Sequence, residues 1–153
     1  PVDRGRLAEA TRRTRWPGRL QLVPGRPRLL LDGAHNPAGA RALAAHLRLE
    51  PPCVLVFGAM QDKDVRELAA PLFARARHVV LTSPRLPRAA SPAQLQARTR
   101  GLGAQRHRQP SVGRALRLAR RLAGPEGLVV VAGSLFLVGE ALAWLQAGRA
   151  GRR

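Results

Sequence analysis

The sequence predicts an α/β domain built on a mainly parallel sheet with helices on both faces. Two observations carry this. Short, β-branched-rich apolar runs at Cys53 to Phe57, His78 to Thr82 and Leu128 to Ala132 alternate with segments of helical period. Proline or a capping residue opens each of those helical segments. At 153 residues the chain has room for one such core.

Residues 1–18 are polar and Arg-rich and end on Trp16-Pro17-Gly18, which stops any helix, so they are expected to be a linker and the remnant of an upstream domain. Leu20 to Val23 and Arg28 to Leu31 flank Pro24-Gly25-Arg26-Pro27 and predict two short strands joined by a turn. Asn36-Pro37 then caps a helix whose apolar face is Ala40, Leu43, Ala44 and Leu47. Asp64 caps a second helix with Leu68, Ala69 and Leu72, and Ser91-Pro92 opens a third. Ser111 starts a fourth, with Val112, Ala115, Leu116, Ala119 and Leu122 inward and Arg114, Arg117, Arg120 and Arg121 mostly outward. The domain proper is expected over 19–147, with 148–153 as a basic tail.

The apolar stretch Leu128 to Leu145 is broken by Gly133-Ser134 and Gly139-Glu140, which predicts a strand, a turn and a helix, with no membrane span. Cys53 is the single cysteine, which excludes an internal disulfide and points to a cytoplasmic protein. The formal charge of +18 raises nucleic acid as a partner. Two features disfavour it: the 27 basic residues are scattered, with Lys63 the only lysine, and there is no tyrosine to interleave as a stacking platform. A basic field serves a nucleotide or a polycarboxylate equally well.

Sheets of this kind bind ligands beyond the carboxyl ends of their strands. Three polar clusters fall there: Asp32 to Asn36, Gly58 to Asp64, and Gly133-Ser134. Asp32 can accept from ribose hydroxyls, and His35 can hold a carboxylate or move a proton. The plainer alternative is that Asn36 caps, Gly33 turns, and Asp32 and His35 satisfy loop backbone. Lys63 lies between Asp62 and Asp64, a compact point charge kept where arginine is the rule, or else a solvated lysine in a capped loop. Ser134 can donate to a ligand oxygen or simply cap a helix. No Gly-Lys-Ser/Thr phosphate loop, no zinc-type Cys/His spacing and no Gly-x-Ser-x-Gly elbow is present, so a nucleotide site requires a second domain and no metal ligand is assigned.

Four segments together resemble one family: Trp16-Pro17-Gly18-Arg19-Leu20, Asp32-Gly33-Ala34-His35-Asn36-Pro37, Gly58 through Asp64, and Gly133-Ser134-Leu135-Phe136-Leu137-Val138-Gly139-Glu140. In order and spacing they are similar to the C-terminal domain of folylpolyglutamate synthase/dihydrofolate synthase, a branch of the Mur ligase superfamily. The resemblance implies a three-layer, Rossmann-like fold and an ATP-dependent ligase in which a folate-linked or dihydropteroate carboxylate is phosphorylated and the acyl phosphate is attacked by the amine of L-glutamate. It also implies that ATP and Mg2+ are held chiefly by an N-terminal phosphate-loop domain of the same polypeptide, so that this chain alone is inactive. By the same resemblance Arg19 contacts the ATP phosphates, Asp32 the ribose, and His35 and Ser134 the glutamate and acyl-phosphate region. Asp62, Lys63 and Asp64 mark a motif without individual roles. Phe136 stands where many relatives carry Tyr. The alternatives are another Mur-type amide ligase half-domain and a non-catalytic basic nucleic-acid-binding module.

Overall fold

The computed structural model describes residues 16–150. In chain order its elements are β1 (Gln21–Val23), β2 (Arg28–Leu31), α1 (Pro37–His46), β3 (Cys53–Phe57), α2 (Val65–Phe73), β4 (Ala76–Leu81), α3 (Pro92–Arg98), β5 (Gln105–Arg108), α4 (Val112–Ala123), β6 (Leu128–Ala132) and α5 (Leu135–Ala150), with a 3-10 turn at Leu47–Leu49. The strands form one sheet in the order β1-β2-β6-β3-β4-β5. Only β1 runs antiparallel to its neighbour; the other four pairings are parallel.

Side chains alternate across the sheet and divide the core in two. Leu30, Leu55, Phe57, Val79, Leu81 and Val130 point to the layer of α1, α2 and α3, while Leu29, Leu31, Val54, Val56, Val129 and Val131 point to α4 and α5. Burial on both faces is why β3 and β6 read as unbroken apolar runs. The helix starts follow the capping residues: Asn36 Oδ1 accepts from Gly39 N at 2.8 Å, Asp64 Oδ1 from Glu67 N at 2.9 Å, and Ser91 and Gln94 form a reciprocal capping box. Burial pushes the Cys53 thiol up to about 11, which makes it a packed strand residue and a poor nucleophile. Among the described residues no helix is long and apolar enough to cross a membrane.

Four departures from the sequence expectations have physical causes. β5 reads Gln-Arg-His-Arg and carries no apolar pattern; it is a strand because it pairs with β4 and closes the sheet as an edge, where charged side chains are tolerated. β4 begins two residues earlier than expected and ends at Leu81, since Ala76 pairs with Cys53 at the amino end of the sheet and the exposed Arg77 is accommodated as a bulge before His78 pairs with Val54. Arg120 does not sit wholly outward with the other α4 arginines: it is half-buried, its guanidinium 5.7 Å from the centre of the Trp144 ring. Helix α5 continues through Ala150, into the stretch expected to be a tail. The expected linker and remnant at 1–18 lies outside the described residues except for Trp16, Pro17 and Gly18.

At the β4–β5 edge, His107 Nε2 lies 3.3 Å from His78 Nδ1. Burial, and then the charge of His78, hold His107 below the ordinary histidine value. Its neutral form is therefore favoured in the fold, so its contribution to stability is complete above the unfolded value near 6.5 and is lost as pH falls from there through the folded value. Thermal unfolding followed as pH falls below the ordinary histidine value is expected to show this decline, and His107→Gln to flatten it.

Candidate active-site rim

The carboxyl ends of the strands meet in a rim of loops tied together through their backbones. Gly33 N donates to Gly18 O at 2.6 Å, Gly133 N to Ala34 O at 3.0 Å, Gly58 N to Ala132 O at 3.4 Å and Ala90 N to Ala59 O at 2.9 Å. Because β1 is antiparallel, its leading residues Arg19 and Leu20 reach the same rim as the trailing ends of the other strands.

Asp32 follows β2 and is 7 % exposed. Its Oδ2 accepts from Leu20 N at 2.9 Å and its Oδ1 from Ala34 N at 2.8 Å, so each carboxylate oxygen holds one loop. The backbone-satisfying alternative for Asp32 is thus present in the fold, whatever else its remaining lone pairs accept. Leu20 sits at φ +41, a conformation that bulky side chains seldom adopt, and the Asp32 bond holds it there. The neighbouring Arg19 is exposed; it lines an open groove of about 520 Å3 with Trp16, Leu20 and Leu22, and forms no side-chain ion pair with a described residue.

A second cleft, of about 200 Å3, gathers side chains from several loops: His35, Met60, Lys63, Arg88, Ser134 and Phe136. His35 Nδ1 is 2.9 Å from Gly33 O. A carbonyl can only accept, so Nδ1 carries the proton and Nε2 of the neutral ring is left as acceptor. Ser134 is buried, and its hydroxyl accepts from Phe136 N at 3.2 Å at the start of α5. Lys63 Nζ is 3.4 Å from Asp62 Oδ2. Asp64 caps its helix and does not line the cleft.

The cleft therefore joins His35, Lys63 and Ser134. Arg19 lines a separate groove that shares no lining residue with the cleft, Asp32 reaches that groove only through its bond to Leu20, Asp62 touches the cleft through Lys63, and Asp64 does not line it. Two contributors escaped the sequence analysis. Arg88 enters on the loop after β4, lies against the Gly58–Asp64 loop through the Gln61 N to Arg88 O bond of 2.9 Å, and sets its guanidinium carbon 5.3 Å from the Phe136 ring centre. Glu140, the last residue of the Gly133–Glu140 motif, steadies the same loop by accepting from Arg85 N at 2.9 Å. Only the motif membership of Glu140 could have signalled this; the segment carrying Arg88 has no motif of its own. Among the described residues no group of three or more His, Cys, Asp or Glu side chains is placed to hold a metal ion.

The sequence model of the family described as Mur ligase, glutamate ligase domain, matches residues 18–135. The chain belongs to that family. Among curated members, a Halobacterium salinarum protein named as a probable bifunctional folylpolyglutamate synthase/dihydropteroate synthase is 39% identical over 150 residues, covering 92% of this chain and 17% of its own length. Among solved members of the glutamate ligase domain family, E. coli FolC in complex with DHPP and ADP superposes with a TM-score of 0.86 at 28% identity, covering 97% of this chain and 36% of FolC. A bifunctional folylpolyglutamate synthase/dihydrofolate synthase with Mn, AMPPNP and L-glutamate bound gives a TM-score of 0.84 at 30% identity, covering 95% and 36%. The chain spans about a third of these solved enzymes, and its fold is that of the Mur ligase glutamate ligase domain.

Proposed function

We propose that this domain is the C-terminal, amino-acid-receiving part of an ATP-dependent ligase that joins L-glutamate to a folate-type or dihydropteroate carboxylate. The observation that carries this is the convergence of His35, Lys63 and Ser134, from three loops distant in sequence, on one cleft, with Asp32 bonded both to Ala34 next to His35 and to Leu20 next to Arg19. The solved relatives bound to ADP, to AMPPNP with Mn, and to L-glutamate support the ligand classes.

In this reaction the γ-phosphoryl group of ATP passes to the substrate carboxylate, giving an acyl phosphate and ADP. The glutamate amine attacks the acyl carbon, phosphate leaves, and the amine gives up a proton. His35, with Nε2 open as acceptor, is suited to take that proton or to hold a glutamate carboxylate. Ser134 positions the start of α5 against the same ligand. Arg19 meets the nucleotide phosphates, and Asp32 fixes the turn that presents Arg19 while its free lone pairs face the ribose. Among the described residues no cluster is suited to Mg2+, and the sequence carries no phosphate loop, so both are assigned to a separate domain of the ligase. Positioning of two reactants across a closing cleft supplies most of the catalysis in such a scheme.

The test is a chimera in which this chain replaces the matching third of E. coli FolC, assayed for ATP-dependent incorporation of L-glutamate into dihydropteroate and tetrahydrofolate. Incorporation supports the assignment, and the preferred acceptor names the activity; a folded chimera that binds nucleotide yet transfers no glutamate removes it. Within the chimera, Arg19→Ala is expected to raise the KM for ATP by roughly ten- to one-hundred-fold, the worth of one charge-assisted phosphate contact. Its melting temperature is expected to stay unchanged, because the side chain is exposed. An unaltered ATP dependence would take Arg19 out of the nucleotide site.

A further inference from the structure

We infer that Arg88 is the anchor for the side-chain carboxylate of the incoming amino acid and so sets the preference for a dicarboxylic amino acid over its amide. This rests on the ligase function proposed above and names the residue behind its substrate choice.

The cleft holds two cations, Lys63 and Arg88. They are not equivalent. Lys63 Nζ has Asp62 Oδ2 at 3.4 Å, so part of its charge is already answered. Arg88 makes no ion pair with a described carboxylate, and its guanidinium rests on the face of Phe136 instead. Stacking of that kind orients the guanidinium plane and leaves its N–H edge free, and a planar fork of N–H donors is matched to the two oxygens of a carboxylate.

The arginine is also pre-positioned. Its backbone is held from one side by Gln61 N donating to Arg88 O at 2.9 Å and by the bridge between Met60 and Ala89. From the other side, Glu140 accepts from Arg85 N at 2.9 Å. A loop without helix or strand is thereby fixed at both ends while the Arg88 side chain stays exposed, which is the arrangement of a residue kept for a ligand and not for the fold.

The chemistry of the substrate fits the pair. An α-amino dicarboxylic acid must leave its amine free to attack, so it has to be held by its two carboxylates. The cleft supplies a point charge at Lys63 and a fork at Arg88, and an amino acid whose side chain ends in an amide leaves the fork unanswered. Phe136 contributes through its face, a role that needs no phenol hydroxyl.

The experiment uses the 153-residue chain itself, labelled for NMR and titrated at about 150 mM salt, where diffuse attraction to its net charge is screened. The probes are L-glutamate and L-glutamine. L-glutamate is expected to shift the Arg88 side-chain N–H and the amides of Ser134 and Phe136 saturably, and L-glutamine to bind roughly thirty-fold more weakly, the range of one lost charge-assisted pairing. Arg88→Ala should bring L-glutamate down to the level of L-glutamine with the rest of the spectrum unmoved, and Arg88→Lys should restore part of the difference. If L-glutamate saturates in this cleft but its preference over L-glutamine survives Arg88→Ala, the role given to Arg88 is overturned and the ligase assignment stands. If L-glutamate gives no saturable shift at the cleft of the unaltered chain, the role given to Arg88 is overturned, and the ligase assignment is decided by the chimera.

Discussion

Alanine at Gly133 is expected to destabilise the domain by about 3 kcal/mol and to lower its melting temperature by roughly 10 °C, read by calorimetry or thermal circular dichroism. Gly133 joins β6 to α5 at φ +108, where an L side chain is strained by about 1–2 kcal/mol. Space is the larger difficulty. A Cβ there would stand 2.5 Å from the Gly58 carbonyl oxygen and 2.8 Å from Phe57 Cε2, both parts of a packed sheet that cannot yield as a flexible side chain would. Overpacking at such a point costs about 1–3 kcal/mol. The damage would also reach the cleft, because Gly133 N donates to Ala34 O and sits directly before Ser134. Wild-type stability in Gly133→Ala would show that the two loops are less tightly opposed than their backbone contacts imply.

Replacing Asp32 is the second large effect, expected even with no ligand present. Asp32→Ala removes the acceptor from Leu20 N and from Ala34 N, leaving two donors at a largely buried position, and should cost about 3 kcal/mol. Asp32→Asn keeps one acceptor oxygen but turns an amide N–H2 toward the other donor, so roughly half the loss should remain. Urea denaturation measures the total, and hydrogen exchange at the Leu20 and Ala34 amides locates it. Stability and protection like those of the unaltered chain would mean that the carboxylate is spare in the fold and serves ligand alone. A drop in activity on mutating Asp32 therefore includes loop collapse whatever ligand the carboxylate meets, whereas a change at the exposed Arg19 carries no such effect on the fold.

Most of the architecture was legible because its signals are local. Asn36-Pro37, Asp64, Ser91-Pro92 and Ser111 each mark a helix start by a side chain that accepts from backbone two or three residues on, and those bonds are formed. β3 and β6 were legible because a strand buried on both faces has no choice but to be apolar throughout. β5 was not, since Arg106, His107 and Arg108 carry an edge strand whose identity comes from its neighbour β4 and not from its own residues. The candidate site followed the same division. Asp32, His35, Lys63 and Ser134 stand in segments whose pattern identifies them, so the sequence placed them at strand ends. Arg88 reaches the cleft only through pairing of the 85–90 loop with the 59–61 loop, a tertiary contact with no periodic trace. For Asp64 the plain capping role is the one that the geometry displays.

The backbone ties along the rim have a consequence for how such a domain diversifies. The loops that carry the cleft are fastened to one another by main-chain groups, which are the same for every amino acid, while Arg19, Lys63 and Arg88 rise from that footing as exposed side chains. Exchange of any one of the three would change the charge presented at the rim without disturbing the footing beneath the others. Chemistry at this surface can drift residue by residue, and the platform beneath it would arrive at each new substrate already assembled.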